Sequence, residues 1–220
     1  MCPPLAAIEK DNSTSPDIPK CIPDDELSQG AYTLARSHLP PPILNHSVRV
    51  FLLADWVAQR EQSEWASADR RSLLCVACIL HDIGCAREFD GPQRFEVEGA
   101  DAAADYLRQH KTPDADVREI WQAIALHTSP GIAERISSLA RLVRQAVLTD
   151  FGKELDKERH GARCTAEELF PRLGIEKLLG DTVVDQALRQ PEKAPAASWP
   201  GILLRAKREF PEWDGVNKAF

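Results

Sequence analysis

Eight consecutive apolar residues, Leu73-Leu74-Cys75-Val76-Ala77-Cys78-Ile79-Leu80, run straight into a His81-Asp82 doublet, and Ile83-Gly84 follows at once. An apolar run of this kind is driven out of water, so the doublet lies at the edge of a core. A carboxylate in that position is costly unless it is paired or bound to a metal. Any fold for this chain therefore has to bring partners to Asp82.

The surrounding pattern is helical, with few strand signals. A first helix is expected over 24–38, where Asp24, Asp25 and Glu26 suit an N-terminus and Pro40-Pro41-Pro42 marks a stop. The next is expected over 43–62, with Val50, Leu53 and Val57 as its apolar stripe. A third over 69–81 would end near Gly84, a suitable C-cap. Helices are also expected over 96–109, 113–127 and 133–150. Weaker ones are expected around 166–170, 175–179 and 183–188, then a Pro/Ala-rich connector over 190–200 and a last helix over 201–210. Residues 1–23, rich in Pro, Ser and Asp, read as a flexible lead-in. Residues 24–220 read as one all-α domain with a C-terminal helical extension, and 220 residues are enough for a sizeable core.

The net charge of −7 argues against a nucleic-acid backbone or an anionic membrane as partner. No apolar run approaches a transmembrane length. The expectation is a cytoplasmic protein acting on a small molecule, with self-association left open. Of the six cysteines, Cys75 and Cys78 form a C-x-x-C. With no second such pair, they read as core residues of an apolar helix rather than as zinc ligands, in keeping with a reducing compartment.

Several polar residues continue apolar stripes. His46 lies one turn before Val50, His127 follows Val117, Ile120 and Ile124, and Asp150 is three residues beyond Val147. One such residue means little, because a lone His on an apolar face is more often a hydrogen-bonded core histidine. Several imidazoles and two carboxylates aimed into one core need a common explanation. A divalent metal supplies it, neutralising carboxylates and accepting neutral imidazole as ligand. Facing helices of a bundle can bring such groups together.

The order His46, His81-Asp82, Asp150 resembles the HD-domain superfamily of metal-dependent hydrolases, over about half the chain. The resemblance implies an all-α helical bundle in which His46, His81, Asp82 and Asp150 are the metal ligands. It implies for His127 a further ligand or a substrate contact, against the alternative of a core histidine held by a carbonyl. Within the superfamily the chain is most similar to the fungal cyanamide hydratase group. The matching segments are Asn45-His46-Ser47-Val48-Arg49-Val50, Leu80-His81-Asp82-Ile83-Gly84, Arg94-Phe95-Glu96-Val97-Glu98-Gly99-Ala100 and Ala123-Ile124-Ala125-Leu126-His127. The type enzymes of that group add water to cyanamide, giving urea, at a zinc centre. The chain departs from the group at Val97-Glu98-Gly99-Ala100 and at Phe151, where the group tends to have Phe before Gly-Gly and Asn. Phe95 stands where dinuclear members place another His, so the resemblance implies one divalent metal: zinc first, with iron or manganese as alternatives. Cys85 stands where nucleotidase-type members carry Glu.

The reaction this resemblance implies is hydration of a small nitrile-like substrate, a lyase activity. Asp82 serves twice if one oxygen ligates and the other handles a proton. Glu96 is a second candidate for proton transfer, or equally a capping carboxylate at a helix start. Trp56, Phe95 and Phe151 would shape a small pocket, although aromatics at helical spacing are more often plain core. Two rivals stand beside this reading. One is phosphate-ester hydrolysis by the same ligands, with Arg87 and Lys153 as basic groups. The other is a metal-stabilised accessory protein without turnover.

Overall fold

The structure is a computed structural model that describes residues 18–153, 156–210 and 212. Among the described residues there are ten α-helices and no β-strand, the all-α bundle expected. They are α1 Glu26–His38, α2 Pro41–Arg60, α3 Ala68–Leu80, α4 Phe95–Gln109, α5 Asp114–Leu126, α6 Ala133–Ile136, α7 Ser138–Asp150, α8 Lys157–Leu169, α9 Ile175–Arg189 and α10 Trp199–Glu209.

Helix α2 is the axis of the molecule. It packs against α3, α7, α8 and α9, and every residue from His46 to Asp55 is buried. A helix surrounded in this way has to be apolar all round, as the stretch from Val50 to Ala54 is. Pro41 and Pro42 do not merely stop α1. They occupy the first turn of α2, where a missing N–H costs nothing. Around the axis, α1 covers α3, α4 packs on α5, and α5 packs on both α3 and α7.

Three local departures from the expected elements have physical causes. The helix expected over 133–150 is two helices, because Ser137 is extended (φ −156°, ψ 163°) and its side chain accepts the Ala140 N–H as an N-cap. The pieces expected around 175–179 and 183–188 are one helix, α9, whose buried Ile175, Leu179, Val183 and Ala187 recur every four residues through Gly180. Helix α8 begins well before 166, at an Asp156 cap. Only Ala162 and Ala166 of α8 are buried, too sparse a stripe to read from sequence.

Gly84 is also not the helix cap. Helix α3 ends at Leu80 with His81 as its C-cap. Gly84 lies in a short 3-10 turn against the start of α4, where a Cβ would run into the Phe95 carbonyl oxygen and the Gly99 nitrogen. This close approach sets Phe95 and Glu96 beside the doublet. Of the lead-in expected over 1–23, residues 1–17 lie outside the described residues. Cys21 and Ile22 are buried in the core, so the packed chain starts ahead of Asp24. Cys75 and Cys78 are free and fully buried, and burial pushes both thiols well above their ordinary pKa, as expected of inert core residues.

Candidate metal centre

Helix ends deliver most of the polar residues. His81 and His127 are the C-caps of α3 and α5. Each makes the same local bond: His81 Nδ1 donates to the Cys78 carbonyl and His127 Nδ1 to the Ile124 carbonyl, both at 2.7 Å. Both carbonyls lie in the last turn of a helix, where the regular donors run out; that of Ile124 also takes the His127 N–H at 3.3 Å. A ring whose Nδ1 carries the proton presents the Nε2 lone pair on its other side when neutral. His46, in the second turn of α2, donates Nδ1 to Asp150 Oδ2 at 2.7 Å. Its Nε2 is turned the same way.

All three Nε2 atoms face Asp82. His81 Nε2 is 3.2 Å and His46 Nε2 3.6 Å from Asp82 Oδ2, and His127 Nε2 is 3.5 Å from Oδ1. His46 Nε2 and His81 Nε2 are 3.2 Å apart. Neither Asp82 oxygen takes part in a hydrogen bond among the described residues, and both are buried. Lone pairs and a carboxylate converging in a buried site repel one another unless a cation or protons lie among them. His46, His81 and Asp82 offer three ligand atoms within 4.8 Å of one another, so the donor set fits one divalent cation of the kind that takes nitrogen and oxygen together.

The titration behaviour has the same cause. Burial disfavours charge on His81, yet Asp82 outweighs it and the pKa of His81 is raised. Burial dominates at His46, whose pKa is lowered. Asp82 is itself held well below the usual carboxylate range, against its burial, by His81, His127 and His46.

The structure brings three of the four expected ligands to one point and holds the fourth, Asp150, on the Nδ1 side of His46. Arg49, fully buried and one turn along α2, takes the Asp150 carboxylate in a two-pronged bond: Nε to Oδ1 at 2.7 Å and Nη2 to Oδ2 at 2.9 Å. Burial would raise the Asp150 pKa, but Arg49 and His46 hold it far below its ordinary value. Arg172 approaches from the far side, with Nη1 donating to the Asp150 carbonyl at 2.7 Å and standing 3.5 Å from Oδ2.

Glu96 is fully buried and accepts the Thr128 hydroxyl at 2.6 Å. It is not among the residues lining the cavity at the doublet. Those are His46, His81, Asp82, His127, Thr128 and the apolar Phe95, Val147, Phe151, Leu179 and Trp199. The cavity is about 10 Å³, room for one water or one ion. Phe95 and Phe151 take the expected places in its wall. Trp56 does not; the Arg60 guanidinium lies over its ring. Arg87 lines a separate cleft and Lys153 is exposed.

Sequence reasoning missed Arg49, Thr128, Leu179 and Trp199. Arg49 had a signal, as the one charge inside the apolar stretch that follows His46. Leu179 and Trp199 come from the C-terminal extension, where nothing in the sequence points at the site.

A search of curated proteins finds no match to the chain. The family model of the HD domain matches residues 43–152, half of the chain. The matched segment begins three residues before His46 and ends two after Asp150, so it encloses the whole constellation: the chain belongs to the HD domain family.

Proposed function

We propose that this HD domain is a metal-dependent enzyme that activates water at a single divalent cation, zinc first, and adds it to a small nitrile-like substrate, cyanamide to urea being the model reaction. The family consists in general of metal-dependent hydrolases, and the group His46, His81 and Asp82 is able to hold a metal. Asp150 is the fourth member of the proposed set, gripping His46 through Nδ1 in this structure. When bound, the cation supplies Lewis acidity that lowers the pKa of water.

The two Asp82 oxygens have different surroundings. Oδ2 faces the His46 and His81 nitrogens, while Oδ1 faces His127. That asymmetry supports the division of labour proposed for Asp82, with one oxygen for the cation and one for a proton. His127 would pass that proton on at Nε2. Hydration of a nitrile needs such a group, because oxygen adds to carbon while the nitrogen must be protonated. Glu96 is proposed to act through Thr128, which reaches the cavity wall, rather than on substrate directly.

The observation that carries the choice of substrate is the cavity itself. Phe95, Val147, Phe151, Leu179 and Trp199 give it apolar walls, and among the described residues no Lys or Arg lines it. A phosphate ester would need basic partners for its charge, which an uncharged nitrile-like molecule does not. The test combines metal analysis with a panel of cyanamide, a nucleoside monophosphate and a phosphodiester. The expected result is about one metal per chain and turnover of cyanamide alone, with Asp82→Ala losing both metal and activity. Turnover of either phosphate ester would transfer the assignment to the phosphohydrolase reading. Metal without any turnover would favour the accessory-protein reading.

A further inference from the structure

Beside the metal cavity lies a second, larger one of about 310 Å³ that opens to the surface. The two share Thr128 and Trp199 in their linings, so these side chains form the partition between them. We infer that the larger cavity is the vestibule through which substrate reaches the metal site, and that Trp199 is the residue that sets the size of what passes. This rests on the metal-site reading above.

The vestibule suits a small neutral molecule. Leu148, Ile132 and Ile202 give it apolar walls, and Ile132 is 55% exposed at its mouth. Arg144 is the one ionisable residue in its lining among the described residues. Its charge is already committed: Nε pairs with Glu134 at 3.3 Å, and Nη1 donates to the His127 carbonyl at 3.0 Å. An anionic substrate would find no unpaired cation there, whereas an uncharged one pays no desolvation penalty for a charge.

The partition is built firmly on both sides. Thr128 is tied to the buried Glu96 carboxylate through its hydroxyl. Trp199 is the first residue of α10, and its indole packs against Phe95 with ring centroids 5.7 Å apart. The preceding Ser198 accepts the Gly201 N–H at 3.1 Å and donates its hydroxyl to the Pro195 carbonyl at 2.6 Å. A Cβ on Gly201 would collide with that same carbonyl oxygen. The turn that leads into Trp199 therefore has little room to shift. A fixed wall of this kind passes a narrow rod-shaped molecule and stops a broad one.

The experiment loads the full-length protein with Co(II) and follows its visible spectrum while two probes are offered. Methyl isocyanide is a linear, uncharged ligand; 1,10-phenanthroline is a broad, planar, uncharged chelator. In the wild type, the isocyanide should perturb the cobalt spectrum quickly and the chelator should strip the metal slowly. Trp199→Ala should speed stripping by roughly tenfold or more and change isocyanide binding much less, because only the broad probe is held back by size. Ala197→Phe, on the exposed part of the vestibule lining, should slow isocyanide binding severalfold without threatening the fold. Thermal unfolding of each variant checks that it is folded. If Trp199→Ala is stripped at the wild-type rate, or Ala197→Phe binds the isocyanide at the wild-type rate, the vestibule assignment is overturned while the metal site stands. If the wild type takes up no cobalt, the metal-site reading fails and this inference fails with it.

Discussion

His46 and His81 meet Nε2 to Nε2 at 3.2 Å, with each ring already donating its Nδ1 proton elsewhere, His46 to Asp150 and His81 to the Cys78 carbonyl. Two neutral imidazoles in that arrangement point lone pair at lone pair. The contact is favourable only when positive charge lies there, either a proton on one ring or a cation shared by both. Proton and metal therefore compete for the same atoms.

Metal affinity should consequently depend steeply on pH. Asp82 raises the pKa of His81 despite its burial, so the protonated ring persists above the ordinary histidine value of about 6.5. Metal binding is strongest above the raised pKa and weakens as pH falls through it, by roughly tenfold per unit for one displaced proton. Competition titrations with a chromophoric chelator between pH 8.5 and pH 5.5 would read this directly, within about the range where histidine titrates. A flat profile would mean that His81 is not a ligand.

The Arg49–Asp150 pair anchors the site from behind. Both side chains are fully buried, so removing Arg49 leaves the Asp150 carboxylate with its His46 bond and only the longer Arg172 contact at 3.5 Å. Arg49→Met should destabilise the fold by about 3–5 kcal/mol, the usual cost of breaking a buried pair. Urea unfolding at neutral pH measures it. A loss below about 1 kcal/mol would place the pair in the class of solvent-screened surface bridges and contradict its burial.

How far the site was legible in the sequence follows from where each residue lies. His46, His127 and Asp150 extend apolar stripes, so helical periodicity alone aims them inward. Asp82 is betrayed by the apolar run that it closes. These signals are local, and they located the bundle and its polar focus. Pairing is not local. That Asp150 would grip His46 Nδ1 and Arg49 together depends on the packing of α2 against α7, which no spacing within either helix encodes. Trp199 and Leu179 were illegible for the same reason. Trp199 follows a Pro/Ala-rich connector, and only the turn at Ser198 and Gly201 swings it back over the doublet. Gly84 was misread in kind: a glycine near a helix end suits a C-cap, but here it permits the close approach of α4.

That approach can be tested without touching a polar residue. Gly84→Ala places a methyl group against the Phe95 carbonyl and the Gly99 nitrogen, backbone atoms that cannot swing aside. The expected cost is about 1–3 kcal/mol, typical of overpacking, seen as a lower urea midpoint. The shift of α4 should also carry Phe95 and Glu96 away from the doublet, so turnover should fall while His46, His81 and Asp82 still take up metal. A variant with wild-type stability would show that the turn after the doublet has slack.

His127→Ala separates the roles left open for this residue. His127 Nδ1 is committed to the Ile124 carbonyl at 2.7 Å, and its Nε2 faces Asp82 Oδ1 at 3.5 Å. His46 and His81 face the other oxygen, Oδ2, and His127 is outside the three-residue group whose ligand atoms lie closest together. The variant should therefore keep most of its metal. Its turnover should fall by roughly tenfold to a thousandfold, the range for losing one positioned proton-transfer or hydrogen-bonding group. Metal analysis and steady-state kinetics on the same preparation give both numbers. Loss of all metal would promote His127 to a ligand of the cation. Unchanged turnover with a lowered unfolding temperature would reduce it to a core histidine that satisfies the end of α5.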